Sequence, residues 1–425
     1  MKIRNRIIAL VAAVIALSAG SLGVSAQTPY SKFGYGMLRD NATSAQRQMG
    51  GVGYAMSSGR QINVMNPASY AARDSLTFLF DMGLDFTNIW SSETLQHTGE
   101  TNKQHNYGGG LDYVTMAFPI SKRLGMSIGL LPYSSVGYSF GSKIDNGSAS
   151  RQGSGGLNLL YLGAGFNIVK GLNVGMNFAY FFGTTYNDVY AIPASTGTMS
   201  LFEQIIQVRD FHMDFGIQYG VEVAPRQRLT AGLTFSPGKA LLGKSMVLQF
   251  DEVTSAGSSG HVGDTIASES LRHHFAIPAT WGVGLNYERN RNFMAEVDFT
   301  YQGWKNAKFE PNDNFIGTKF QNRYRIGAGV QWVPDPRGSY FRRVAYRFGG
   351  YYNRDYITVN TNSVKDFGLS CGFGFPAVAG KTVVNLGFEY KHRSTSPTKL
   401  LTENYFNITL GVNFNERWFM QSKIR

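Results

Sequence analysis

The sequence predicts an all-β fold: a transmembrane up-and-down antiparallel β-barrel of about fourteen strands, with an N-terminal hatch held inside it. Three observations predict it. From Leu76 onward, large apolar residues alternate with small or polar ones at a period of two, as in strands whose two faces meet different surroundings. The connections between these segments alternate short and long, the rhythm of periplasmic turns and extracellular loops. The composition also fits neither a soluble nor a helical membrane protein. Only 16% of residues are charged, against roughly 25% in soluble domains. No stretch past the N-terminus supplies the roughly 20 apolar residues of a membrane helix. A barrel hides its hydrophobicity in alternation, which keeps mean hydropathy close to zero, as it is here.

Residues 1–26 carry the marks of an export signal. Lys2, Arg4 and Arg6 make a basic start, and Ile7 to Ala19 an apolar run too short to span comfortably. Val24-Ser25-Ala26 is a small-x-small cleavage site before Gln27. The single cysteine, Cys371, excludes an internal disulfide framework and a thiolate metal cluster, and no cysteine follows the cut to carry a lipid anchor. The net charge of +12 suits an anionic membrane surface. No basic stripe with interleaved aromatics points to nucleic acid. Residues 27–75 follow as the expected hatch. They are rich in glycine and polar residues and lack helical or strand periodicity. Tyr30, Phe33, Tyr35, Met49, Met56 and Met65 nevertheless give them apolar groups that a disordered tail lacks.

Residues 76–425 are the expected barrel. Its first strand, 77–88, sets Phe78, Phe80, Met82, Leu84 and Phe86 on one face and Leu79, Asp81, Gly83, Asp85 and Thr87 on the other. Further spans are expected at 109–120, 124–140, 157–169, 172–189, 206–223, 228–250, 272–287, 293–305, 318–333, 342–353, 364–375, 382–393 and 403–419. The seventh, 228–250, is interrupted by Ser236-Pro237-Gly238 and reads either as one strand with a break or as a strand plus an outer hairpin. Ser121-Lys122-Arg123, Lys170-Gly171 and Arg289-Asn290-Arg291 are expected as periplasmic turns; residues 89–106, 141–156, 190–205, 251–271 and 306–317 are expected as extracellular loops. The last span places Phe406, Ile408, Leu410, Val412 and Phe414 on one face, with Trp418 and Phe419 as interfacial girdle. This terminal strand resembles the assembly signal of outer-membrane barrels and makes the barrel-assembly machinery an expected partner.

Two motifs interrupt the pattern. The stretch Met49 to Tyr70 contains Met49-Gly50-Gly51-Val52-Gly53 and closes on Asn66-Pro67-Ala68-Ser69, built to turn: Asn bonds its own backbone, and Pro67 fixes φ. The third strand contains Leu130-Leu131-Pro132-Tyr133-Ser134-Ser135-Val136-Gly137, where proline removes a ladder hydrogen bond and implies a kink or gap. A glycine-rich segment ending in Asn-Pro-Ala, just ahead of the first strand of such a barrel, resembles the FadL-type family of outer-membrane hydrophobic-compound (long-chain fatty acid) transporters. The resemblance covers the layout of the whole mature chain; in local sequence it is confined to the hatch and the terminal strand. Where that family commonly continues with Gly after Asn-Pro-Ala, this chain has Ser69-Tyr70. The resemblance implies that Gly50, Gly51, Gly53, Asn66, Pro67 and Ala68 form a gate. It also implies that the third strand kinks around Pro132 to Gly137 to open a lateral route to the bilayer, and that the ligand is a fatty-acid-like hydrophobic or amphipathic small molecule.

Arg323 and Arg325 share the lumen side of the tenth strand. They can hold a ligand carboxylate, or pair across the lumen with Asp81, Asp85, Glu296 or Asp298. Asp210, His212 and Asp214 share a face too, but same-face neighbours lie about 7 Å apart, so one strand does not close a tetrahedral metal site. His273 and His274 point to opposite faces. With no nucleophile elbow, P-loop or paired Cys-x-x-Cys, the sequence gives no catalytic residue, no metal, no cofactor and no enzyme. It supports a passive outer-membrane transporter gated by the hatch. The alternative is a non-transporting barrel acting as scaffold or shuttle in a secretion or surface-assembly system. Expected partners are a hydrophobic ligand, outer-membrane lipids and the barrel-assembly machinery, not nucleic acid. A continuous apolar pocket beside the hatch with a wall gap marks the first reading. A hatch packed without a cavity, together with large ordered outer loops, marks the second.

Overall fold

The computed structural model describes residues 28–72, 77–94, 101–144, 147–193, 200–255, 258–290, 292–310, 319–359, 361–377 and 382–417. The export signal 1–26, Arg291, Trp418, Phe419 and parts of the expected outer loops lie outside these residues. The N-terminal segment carries a two-residue strand, β1 (Met37–Leu38). The wall begins with β2 (Thr77–Thr94), β3 (Thr101–Pro119), β4 (Leu124–Ile144), β5 (Gly147–Val169), β6 (Leu172–Pro193), β7 (Ser200–Ala224) and β8 (Gln227–Ser236). An outer insertion follows: β9 (Lys239–Ala240), β10 (Gly243–Ser255), β11 (Ser258–Ser270) and β12 (Ala276–Ile277). The wall resumes with β13 (Thr280–Arg289), β14 (Phe293–Gln302), β15 (Arg323–Trp332), β16 (Ala345–Val359), β17 (Asn362–Pro376), β18 (Thr382–Ser396) and β19 (Leu401–Arg417). β8 pairs with β13, and β19 returns to β2 with Leu410 opposite Leu84, so fourteen antiparallel strands close.

The two faces of each strand separate as the alternation predicts. Phe86, Phe178, Phe211, Ile326 and Phe406 are exposed on the outside, while Asp85, Asn177, Asp210, Arg325 and Tyr405 are buried on the inside. Outward apolar side chains on a closed barrel are what lipid requires, since every backbone group in the bilayer must be paired. This is an outer-membrane barrel.

Two expectations are refined. Several strands run well past their expected ends, taking in much of the expected loops 89–106, 141–156 and 190–205 as paired β-structure. The seventh span is both of the forms left open. β8 stops at Ser236 ahead of Pro237, and after the short β9 the chain re-enters the sheet as β10, which pairs with the outer half of β7 and then with β11 as a hairpin.

Candidate functional site

Residues 28–72 fill the lumen. The segment starts near the loop end, where Thr28 N–H donates to Gly137 O (2.7 Å) and the Tyr30 hydroxyl to Leu401 O (2.5 Å). Helix α1 (Ser44–Arg47) forms behind Thr43, whose backbone N–H is capped by the Gln46 side chain at 2.8 Å. The chain leaves the lumen near the turn end through a 3-10 turn at Pro67–Ala72.

The expected gate residues lie where plug and wall touch. Gly50 and Gly51 adopt φ of +73° and +69°, which reverses the chain after α1. Gly53 N–H and Tyr54 N–H both donate to Asp298 Oδ2, at 2.7 and 3.0 Å, and Ala55 N–H donates to Glu296 Oε1 at 2.8 Å. Asn66 does the turning expected of it: its Oδ1 accepts from Ala68 N–H (3.1 Å), and its amide donates to Tyr54 O (2.7 Å) and to Ile217 O in β7 (3.2 Å). The small residues on the lumen face of the strands prove to be landing sites. Added side-chain atoms at Gly329 and Gly349 would strike Met49, at Gly175 Pro67, and at Gly216 Asn66. The plug backbone therefore lies directly on the wall.

Arg393 on β18 pairs within the wall with Asp355 (3.1 Å) and Asp366 (3.5 Å), but several other lumen charges face the plug. Arg323 and Arg325 reach Asp40 of the plug, at 2.9 and 3.2 Å, and Arg325 also donates to Gly50 O at 2.7 Å. The carboxylate they hold is thus the chain's own. Asp85 takes Arg39 (3.1 Å), and Asp112 takes Arg39 (3.2 Å) and Arg47 (2.9 Å). Asp81 accepts from Tyr113 and Asn413, and Arg347 donates to Gln48 at 2.8 Å. Burial alone would raise the Asp40 pKa, but Arg325 and Arg323 outweigh it and hold that carboxyl well below the usual range. Asp40, Asp112 and Arg347 had not been singled out in the sequence. For Arg347 the signal was present, a charge at an inward position of an alternating strand; Asp112 carried none, because it is the extra residue of a bulge where Gly83 and Leu84 pair with Tyr113 and Leu111. Asp40 carried none, because the plug has no periodicity.

The Pro132 region is a seam. The β3–β4 ladder runs only from Pro119 opposite Gly125 to Val114 opposite Leu130. Beyond it β4 keeps pairing with β5, with a register shift between Pro132 and Ser134 where proline lacks the N–H that the ladder needs. The free edge of β4 is taken by the plug: β1 pairs Leu38 with Ser134 and Met37 with Ser135, Arg39 N–H donates to Tyr133 O (2.9 Å), and Gly137 is bonded by Thr28 and Ser31.

At the loop end, chain that follows β14 folds inward. Trp304, Phe309 and Phe320 pack with Tyr35 of the plug, Tyr356 of β16 and Phe275, the Trp304 and Tyr356 ring centroids being 4.5 Å apart and those of Tyr35 and Phe309 5.1 Å. Between plug and wall lies a cavity of about 170 Å³, lined in part by Arg39, Arg325, Asp355, Glu389, Lys391 and Arg393. Its lining mixes these charges with Met37, Leu38, Ile89 and Tyr405. On β7, His212 sits 3.0 Å from Asp214, and Lys239 holds Asp210 at 2.6 Å. His274 stands between Glu269 and Glu310. Among the described residues, no group of three or more His, Cys, Asp or Glu side chains converges for a metal.

A family model described as BamG matches residues 2–425. No curated protein matches. Among solved structures, the CymD monoaromatic hydrocarbon channel is similar at 14% identity and a TM-score of 0.58, covering 91% of this chain and 99% of its own. A Pseudomonas aeruginosa FadL homologue follows at 11% identity and 0.59, covering 89% and 99%. The P. putida toluene transporter TodX is similar at 14% and 0.59, covering 90% and 100%. At these identities the likeness is one of fold: a FadL-type barrel.

Proposed function

The chain belongs to the BamG family, and from that premise we propose that it is a sealed, non-conducting outer-membrane barrel serving as a fixed component of a surface-assembly system. The family's designation points to barrel assembly as that system. The seating of the plug is the observation that carries this reading. Plug backbone rests on wall glycines, plug N–H groups end on Asp298 and Glu296, and Asp40 is clamped by two arginines. The cavity between plug and wall supports it as well. At about 170 Å³ it is smaller than the roughly 300–1,000 Å³ of ordinary ligand pockets, and charged side chains take a large part of its lining. The deciding experiment is deletion of the chain in its host, with two readouts: the content of β-barrel proteins in the outer membrane, and uptake of a labelled aromatic hydrocarbon and fatty acid. Barrel content is expected to fall while uptake holds. Unchanged barrel content with abolished uptake would overturn the reading.

A second reading, passive passage of hydrophobic or amphipathic small molecules, is favoured by the β3–β4 seam and by neighbours described as hydrocarbon channels and a toluene transporter. In it, Gly50, Gly51, Gly53, Asn66, Pro67 and Ala68 are the gate, and Pro132 and Gly137 border the exit into the bilayer. Arg323 and Arg325 exchange Asp40 for the carboxylate of a fatty-acid-like ligand. On this reading, deleting residues 28–39, which occupy the seam, raises uptake.

A further inference from the structure

The turn between β15 and β16, residues 333–344, is built unlike the tight turns beside it. It is held in one shape: Asp335 N–H donates to Arg342 O (2.9 Å), Arg337 N–H to Asp335 Oδ1 (3.0 Å), Arg342 N–H to Ser339 O (3.0 Å), and the Tyr346 hydroxyl to Phe341 O (3.2 Å). What this frame presents stands exposed, with the Tyr340 and Phe341 rings edge to face at 5.6 Å. Phe341 is 71% exposed and Tyr340 44%, with Arg337, Arg342 and Arg343 exposed around them and the Arg343 guanidinium 5.8 Å from the Tyr340 ring. The turn's own acid, Asp335, accepts from the Arg337 N–H instead of pairing with an arginine side chain. Among the described residues, the ion pairs lie in the lumen and at the outer insertion, none at this turn. The pattern is repeated around the rim. Turns at the same end of the barrel carry Lys122 and Arg123 after β3, Lys170 after β5, Arg226 after β7 and Arg289 at the end of β13, all exposed.

We propose that this rim is a binding surface for the anionic phospholipids of the inner leaflet, with the 333–344 turn as its anchor: Phe341 and Tyr340 enter the acyl–headgroup boundary, and Arg337, Arg342 and Arg343 take the phosphates. Distribution selects the occupant. A docked protein would cover one arc, whereas cations stand on turns spread around the barrel, as a lipid annulus requires. Planar guanidinium groups fit phosphate oxygens, and an aromatic beside them belongs at the membrane interface. Basic residues at that level draw anionic lipid through the surface potential. The short-turn end is the periplasmic end, so the leaflet is the one facing the periplasm.

The test uses the full chain in vesicles of phosphatidylethanolamine containing a minor fraction of phosphatidylglycerol. The barrel is extracted with its lipid ring by a nanodisc-forming polymer, and the ring's phosphatidylglycerol fraction is compared with the bulk. The wild-type ring is expected to be enriched. The triple variant Arg337→Gln, Arg342→Gln, Arg343→Gln should lower that enrichment on the order of threefold, and Phe341→Ala should lower it further. The corresponding lysine triple should keep it, and heat-modifiable migration on a gel verifies that each barrel is folded. A ring no richer than bulk, or one untouched by the glutamine triple, overturns the proposal. So does a glutamine triple whose lipid ring is unchanged but which loses a protein crosslinked to this turn in cells, since the surface would then be a protein dock.

Discussion

Asp298 shows how much rests on one carboxylate. Two consecutive plug N–H groups, from Gly53 and Tyr54, converge on its Oδ2. In Asp298→Ala both donors lose their acceptor, at about 1–3 kcal/mol for each buried group left unpaired. Hydrogen exchange at Gly53 and Tyr54 should accelerate while amides in β18 keep their protection; equal rates in mutant and wild type would refute the latch. Gly50 tests the contact from the plug side. Its φ is +73°, and an added Cβ would lie 2.7 Å from Gly350 O, backbone that cannot swing away. Gly50→Ala should therefore loosen the plug by about 1–3 kcal/mol, read as faster limited proteolysis within residues 28–72. The charges give a pH signature. Asp40 is depressed below an unfolded value near 4, so its contribution is complete above that pH and is lost only as pH falls through its lower folded value. Burial, aided by Arg151, pushes Lys32 down to about 8, so the folded chain binds that proton less tightly than the unfolded chain. Its penalty is full below pH 8 and is relieved as pH rises toward the unfolded value near 10.4. A spin label at Arg60→Cys, with Cys371→Ser, should report a plug as immobile at pH 5 as at pH 7 and at least as immobile at pH 9.5. Loosening between pH 7 and 5 that persists in Asp298→Asn would contradict the Asp40 clamp.

At the scale of elements, β4 and β1 form the one place where the plug is part of the wall. Leu38 and Ser134 are opposed, while Arg39 N–H bonds Tyr133 O one position on, so Leu38 and Ser134 are a non-hydrogen-bonded pair with close side chains. In a Cys371→Ser background, Leu38→Cys with Ser134→Cys should oxidise readily to a disulfide. Leu38→Cys with Ser127→Cys, lower on the same strand, should not. How far such elements are legible in the sequence depends on what surrounds them. Phe211, Met213, Phe215 and Ile217 announce β7 because lipid lies on one side of them and lumen on the other. In β3, Asn102 to His105 are exposed and paired with β2, yet water wets both faces, so the ladder continues without any alternation. That is why the outer loops were expected to be longer than they are. Pro132 was legible because a missing N–H is a property of the residue itself. β1 was not, because Met37-Leu38 is a strand only through the edge that β4 leaves free.

The whole molecule ties these contacts into one seal, and the seal separates the two functional readings. Withdrawing the plug would take from Asp298 the Gly53 and Tyr54 N–H groups and from Glu296 the Ala55 N–H, leave Asp85 and Asp112 without their arginines, and reopen the edge of β4. Leaving a buried charge unpaired costs about 3–5 kcal/mol. Several would lose their partners together, so a plug-out state is sparsely populated unless water entering the lumen or a bound partner offsets that cost. A transporter must visit such a state, or at least release β1 from β4; a fixed assembly component need not. The Leu38→Cys/Ser134→Cys disulfide turns this into one measurement. Locked barrels expressed in the host are expected to sustain outer-membrane barrel content at the wild-type level, and purified locked barrels in planar bilayers should be as non-conducting as wild type. If the lock abolishes uptake of a hydrophobic compound and a reductant restores it, the seam is a working exit and the plug a gate, and the sealed reading is wrong.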